Sequence, residues 1–426
     1  MKAIKRIFIL LILIIAVATI YYYCNEIKTD VRGKVVVCIP VYGQSLALGE
    51  EAVRITDFDD FSNKFKDRIV TENIDNKFGY FDGNMLKQKV KKYFHYRKRS
   101  FELSIYSMSA SLASQLGEDT VICTFPGGQG ATALKQLSKG TAPYSRFLSD
   151  IERAHRLARE GGADFFVPAI CWMQGESDIA DYPETSYKDL LKKFEEDINQ
   201  DVKAITHQTI PVRIICYQAN ALSRGEKYRA NSFDCTETSV PQSFVELLQE
   251  DSLFWASGPT YPYNVVREAV HIDAIGQQHI GQLAANSALS ILRKETRQKG
   301  LIPEYFQTKD SVIIIHFNVP CPPLCLDTTN VSKADNYGFS VINTQNEDII
   351  YNISLDSCDV KIKCLSSPIG CKVRYAVNGD YMKSGNLHGP RGNLRDSQGD
   401  KKTFTISNQY YPVYNWCYQF DFLITE

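Results

Sequence analysis

The stretch Val35-Val36-Val37-Cys38-Ile39-Pro40-Val41-Tyr42-Gly43-Gln44-Ser45 decides the fold. A near-continuous apolar run closed by Gly-Gln-Ser reads as a strand buried on both faces, the pattern of a parallel sheet covered by helices. Val121 to Phe125, Phe165 to Trp172 and Val212 to Tyr217 repeat that texture. Amphipathic stretches separate these runs. The clearest, Tyr187 to Ile205, sets Leu190, Leu191, Phe194, Ile198 and Val202 at helical spacing, with Lys, Glu and Asp on the opposite face. From Lys34 to about Arg293 the alternation therefore predicts βα units and an α/β fold with a parallel sheet.

The texture changes after Leu301-Ile302-Pro303, where helical periodicity stops. Short strands such as Ser311 to Phe317 and Val360 to Cys364 are there separated by Pro, Asn, Asp and Gly clusters, which predicts a β-sandwich. The expected organisation is a main domain over residues 34–298 and a β-sandwich over 306–426, and no internal repeat is visible.

At the N-terminus, Lys2, Lys5 and Arg6 precede an uncharged, mostly apolar run from Ile7 to Tyr23. Residues 1–24 read as either a signal peptide, with Ala16-Val17-Ala18 as an A-x-A-like cleavage site, or an uncleaved membrane anchor ending in an aromatic belt. Both readings place residue 25 onward outside the cytoplasm, membrane-anchored or secreted. The 426 residues carry 48 Lys plus Arg against 49 Asp plus Glu. A net charge of -1 offers no global field for nucleic acid or an anionic membrane surface, so no nucleic-acid partner is expected. Lys87 to Arg99, interleaved with Tyr93, Phe94, His95 and Tyr96, is read as a solvated helix or insertion.

Three motifs carry chemistry. Ser45 closes the first strand, where open α/β sheets bind ligands, and is placed as a nucleophile. Gln174, in Cys171-Trp172-Met173-Gln174-Gly175-Glu176-Ser177-Asp178, brings an amide to the end of another strand, a donor type suited to a developing oxyanion. Gly127-Gly128-Gln129-Gly130 follows the Val121 strand and offers unobstructed backbone N–H groups. His271, in Glu268-Ala269-Val270-His271, is the histidine best placed to activate a serine, with Glu268 to fix its tautomer.

Taken together, Gly43-Gln44-Ser45, Gly127-Gly128, Trp172 through Asp178 and Glu268-x-x-His271 resemble, in order and spacing, the sialate O-acetylesterase-like branch of the SGNH (GDSL-like) hydrolases. The resemblance covers roughly residues 34 to 295. It implies a flavodoxin-like three-layer α/β/α domain and a serine esterase removing O-acetyl groups from carbohydrate, either sialic acid or a surface or capsular glycan. It further implies Ser45 as nucleophile, His271 as base, Gln174 and Gly128 in the oxyanion hole, and no metal or organic cofactor. Many relatives have Asp where Glu268 stands, so Glu176, Asp178 and Asp273 remain alternatives for the triad acid, and Gly127 an alternative to Gly128. An acetylxylan-type esterase and a non-catalytic surface glycan-binding protein are the competing functions.

Of the 12 cysteines, Cys38, Cys123, Cys171 and Cys216 fall in strands and read as buried apolar thiols. Cys321, Cys325, Cys358, Cys364, Cys371 and Cys417 cluster in the β region and are candidates for one or more bracing disulfides, whose connectivity the sequence does not give.

Overall fold

The computed structural model describes residues 31–65, 67–72, 78–80, 101–181, 186–222 and 228–425. The apolar run Ile7 to Tyr23 and the basic segment Lys87 to Arg99 lie outside these residues. Among the described residues, no helix is long and apolar enough to cross a membrane.

The run that begins at Val35 forms strand β1 in two pieces, Val35–Cys38 and Val41–Gly43. Pro40 sits at the break, where its missing N–H costs one ladder bond. Its carbonyl still accepts from Cys171 N at 2.9 Å, and Val41 N donates to Phe125 O at 3.0 Å, so the sheet runs on through the gap. Then come β2 (Ile69–Glu72) and β3 (Phe78–Tyr80), followed by β4 in two pieces, Thr120–Cys123 and Pro126–Gly128. Strand β5 (Asp164–Phe166 and Ala169–Met173) breaks at Pro168, and β6 (Arg213–Gln218) and β7 (Phe254–Pro259) complete the sheet.

The strand order is β3-β2-β4-β1-β5-β6-β7, parallel throughout except for β3. Removing the β2–β3 edge pair leaves a five-stranded flavodoxin-like sheet. The edge pair is an addition that the apolar runs alone did not mark. Helices α1 (Ser104–Gln115) and α5 (Ala274–Arg293) pack together on one face. Helices α2 (Ala142–Glu160), α3 (Tyr187–Thr206) and α4 (Ser239–Glu250) line the other. The result is the expected three-layer α/β/α domain. Leu191, Phe194, Ile198 and Val202 of α3 are all buried, as their spacing requires.

Beyond α5 the pairing becomes antiparallel. A four-stranded sheet is built from Ile302–Lys309, Val312–Asn318, Asp359–Cys364 and Ile350–Asp356. It faces a three-stranded sheet of Phe339–Ile342, Lys372–Tyr375 and Phe420–Leu423. Phe306 and Phe317 of the first sheet meet Phe420 of the second at ring-centroid distances of 6.3 Å each, giving the sandwich its aromatic core. The six candidates of the β region form no disulfide: all eleven described cysteines are free thiols. The aromatic core and the polar joint to the α/β domain hold this region together instead.

That joint is made of buried polar groups. Gln218 and Gln419 exchange two bonds of 2.8 Å, Gln218 Nε2 to Gln419 O and Gln419 N to Gln218 Oε1, while Asn220 Nδ2 donates to Gln419 Oε1 at 2.8 Å. Arg374, fully buried on the sandwich, pairs with Asp421 at 2.9 Å. Its guanidinium also donates to Ser232 O at 2.6 Å and Phe233 O at 2.9 Å in the α/β domain. Most of the buried donors thus find an acceptor across the joint, Gln419 Nε2 being an exception.

Candidate active site

The site lies at the C-terminal edge of the parallel sheet, where strands β1, β4 and β5 end side by side. Gly43 pairs with Gly128 and with Met173, and the spacing leaves no room for side chains there. A Cβ on Gly43 would lie 2.0 Å from Met173 O. One on Gly128, whose φ is +123°, would lie 1.8 Å from Gly43 O. Only glycine lets these backbones approach so closely. Both glycines line the nucleophile strand, Gly128 opposite Gly43 at its end and Gly127 opposite Tyr42, where it also makes room for the Phe147 ring.

Ser45 opens a short 3-10 turn, Ser45–Leu48, directly after β1 and is almost fully buried. Its Oγ lies 2.8 Å from Nε2 of His271. The Nδ1 of the same ring lies 2.8 Å from Oε2 of Glu51. An ionised carboxylate can only accept, so Nδ1 carries the ring proton and Nε2 is left as the acceptor for the serine hydroxyl. Serine, histidine and glutamate form one hydrogen-bonded chain.

Glu51 is the residue sequence reasoning missed. It stands six positions after Ser45, and the turn between them folds back through Gly49, whose φ is +65°. A Cβ at Gly49 would meet Glu102 O at 2.1 Å, so this turn also depends on glycine. Glu51 itself is left-handed, with φ of 65°. Arg267 Nη2 holds its second oxygen, Oε1. The available signal was local: a glycine turn with acidic residues just after the serine block.

The expectation that Glu268 orients His271 is corrected. Residues 265–272 form a tight reversal, with Val265 paired to Ile272 and Val266 N donating to His271 O at 2.8 Å. Arg267 and Glu268, both at positive φ, sit at its tip, so the Glu268 carboxylate is turned away from the imidazole. It pairs with Lys383 Nζ at 2.5 Å and His388 Nδ1 at 2.8 Å, both on the β-sandwich. These two groups hold its pKa below the usual 4.5.

The other acids considered are engaged elsewhere. Glu176 accepts from the Tyr217 hydroxyl at 2.7 Å, and burial pushes its pKa up to about 7. Asp178 accepts from Leu134 N at 2.9 Å. Asp273 caps α5 by accepting from Gly276 N at 2.8 Å.

Gln174 is also placed differently from expectation. Fully buried, it donates through Nε2 to Thr132 O at 3.2 Å and to Asp178, while its Oε1 accepts from the Tyr187 hydroxyl at 2.9 Å. Trp172 Nε1 donates to that same hydroxyl at 3.2 Å. In this arrangement the Trp-x-Gln-Gly-Glu-x-Asp stretch ties β5 to the loop after β4 and to α3. No group of three or more potential metal ligands occurs among the described residues.

Against this geometry, residues 98–290 match the family model described as carbohydrate esterase, sialic acid-specific acetylesterase. The match lies within the α/β domain and is a resemblance to that family. A search of curated proteins finds no match. Among solved structures, a carbohydrate acetylesterase from Xanthomonas citri is 14% identical, with a TM-score of 0.58, and the alignment covers 92% of this chain and 80% of that one. A protein from Arabidopsis thaliana, 15% identical, aligns over 60% of this chain and 98% of its own with a TM-score of 0.44. NanS, 12% identical, aligns over 62% and 99% with a TM-score of 0.42. The Xanthomonas likeness is one of fold, and its coverage shows that the shared fold extends beyond the α/β domain.

Proposed function

We propose that the carbohydrate esterase removes O-acetyl groups from a surface or capsular glycan, sialic acid included among the sugars that can bear the ester, with Ser45, His271 and Glu51 as its triad. The observation that carries this reading is the pair of 2.8 Å bonds joining Ser45, His271 and Glu51 at the sheet edge. His271 Nε2 takes the hydroxyl proton as Ser45 Oγ attacks the acetyl carbonyl, and the resulting imidazolium is stabilised by Glu51. The backbone N–H groups of Ser45 and Gly128, at adjacent strand ends, hold the oxyanion. Gln174 braces the loops behind them, because its amide is already engaged. His271 then returns the proton to the departing sugar oxygen, and water releases acetate from the acetyl-serine by the same steps.

The test is acetate release from O-acetylated sialic acid, acetylated xylan and the producing cell's own acetylated glycan. The surface glycan or the sialic acid should be the fastest, and Ser45→Ala should lower that rate by on the order of 10⁴ or more while the protein stays folded. Acetate release by Ser45→Ala at a wild-type rate would end the nucleophile assignment, and a clear preference for xylan would end the substrate assignment.

A further inference from the structure

At the base of the reversal that carries His271, the structure holds a cavity of about 240 Å³, between α5 and the β-sandwich. Aromatic rings of Tyr263, Tyr411 and Tyr414 line it together with the polar groups of Asn264, Asn386 and Asp273. It is smaller than the ~300–1,000 Å³ of sites for drug-sized ligands, and so suits one small ring.

The lining has a definite chemistry. Faces of tyrosine rings accept the apolar C–H face of a pyranose, while amide and carboxylate groups satisfy ring hydroxyls in both donor and acceptor roles. Asn386 uses Nδ2 on Asn330 O at 3.0 Å, and its side-chain oxygen has no partner among the described residues. Of the two sandwich tyrosines, Tyr414 donates its hydroxyl to Asp400 Oδ1 at 3.1 Å, and Tyr411 lines the cavity beside it. No Lys or Arg lines the cavity, and Asp273 is its only acid. His279 stacks on Tyr263 at 5.0 Å, and burial pushes its pKa down to about 4, so it adds no positive charge near neutral pH. A sugar carboxylate would meet Asp273 there, while the nearest guanidinium, Arg395, is stacked on the Tyr414 ring and paired with Asp327.

The cavity is linked to the active site by one backbone segment. Asp273 N donates to Asn264 O at 2.9 Å, directly below the Val265–Ile272 pair and the Val266–His271 bond. His271 and Asp273 stand two residues apart on this extended segment, so their side chains leave on the same side, with Cα atoms roughly 7 Å apart. Ile272 between them is fully buried on the other side.

We infer that this cavity is a subsite for an uncharged sugar residue of the glycan chain, adjacent to the acetylated unit presented to Ser45. The inference rests on the esterase reading for its biological setting, but it predicts binding that requires no hydrolysis. It also gives the β-sandwich a specific part in recognition, because Tyr411, Tyr414 and Asn386 all belong to it.

Binding to the full chain can be measured by titration calorimetry or saturation-transfer NMR. The probes are unacetylated tetrasaccharides of xylose, mannose and N-acetylglucosamine, with free N-acetylneuraminic acid as the charged comparison. At least one neutral tetrasaccharide should bind at least 10-fold more tightly than N-acetylneuraminic acid. Tyr411→Ala should weaken that binding at least 10-fold, Tyr411→Phe should stay within about 3-fold, and the exposed Asn264→Ala, which keeps the aromatic core intact, should also weaken it. The inference is overturned if no neutral probe binds better than the sialic acid, or if Asn264→Ala and whichever Tyr411 variants fold bind like wild type. Turnover of p-nitrophenyl acetate is followed in parallel. A wild-type protein that turns over p-nitrophenyl acetate but binds no neutral sugar would remove the subsite alone, whereas an inactive wild-type protein that still binds the neutral sugar would remove the esterase reading alone.

Discussion

Two short loops converge on the imidazole of His271, and they contribute unequally. The segment Ser45 to Glu51 supplies both the hydroxyl and the carboxylate within seven residues, by folding back through Gly49. The reversal from Val265 to Ile272 supplies only the histidine, although it contains a glutamate at the spacing a triad acid would have. The difference is conformational. Glu51 and Glu268 are both left-handed, but one lies where the chain turns toward the ring and the other at a tip pointing to the β-sandwich. Spacing along the chain is therefore a poor guide to which carboxylate a histidine meets when a tight turn intervenes.

Exchanging the carboxylates for amides puts that asymmetry at risk. Glu51→Gln should lower kcat by about 10² to 10⁴-fold, because an amide in that place can present its N–H to Nδ1 and reverse the tautomer His271 needs. Stopped acetate assays with the same variant at Glu268 should show a rate close to wild type. Comparable losses in both would dissolve the distinction between the loops. A smaller effect is expected from Arg267→Ala. Arg267 is mostly exposed, and exposed ion pairs contribute about 0–1 kcal/mol, so steady-state rates should fall by at most about fivefold.

The smallest catalytic effect belongs to Glu268→Gln, whose signature is instead pH-dependent stability. The Glu268 pKa is depressed in the folded protein by Lys383 and His388, so its stabilisation is present above its ordinary 4.5 and is lost as pH falls through the lower folded value. Thermal melts of Glu268→Gln should lie below wild type near neutral pH, and the two curves should converge as the wild-type carboxylate becomes protonated in acid. A gap that persisted or widened in acid would show that the carboxylate is not held by these cations.

Much of the α/β domain was legible because buried parallel strands leave continuous apolar runs, and Val35, Val121, Phe165 and Val212 each mark one. The β2–β3 edge was not, since Ile69-Val70-Thr71-Glu72 is too short and mixed to stand out. Ser45, His271 and Gly128 were legible because strand ends and glycine blocks have local signatures. Glu51 was not, because its role depends on a left-handed turn set by the approach of Gly49 to the Glu102 backbone. Gln174 was recognised as part of a motif, but the motif's spacing does not show that Asp178, four residues on in the same stretch, takes up its amide. The cysteines of the β region were read through export and its oxidising setting, whereas packing of Phe306, Phe317 and Phe420 already closes that region without covalent bridges.

The buried amides at Gln218, Asn220 and Gln419 have a consequence for how this molecule can be divided. A chain ended near residue 300 would leave Gln218 and Asn220 facing solvent or void, and would strip from the Ser232 and Phe233 carbonyls the guanidinium that satisfies them. The sandwich alone would carry Arg374 and Asp421 with half their partners missing. The two regions therefore share one interior and should melt in a single calorimetric transition. Recombining this sandwich with another enzyme would mean transplanting the seam as well as the strands.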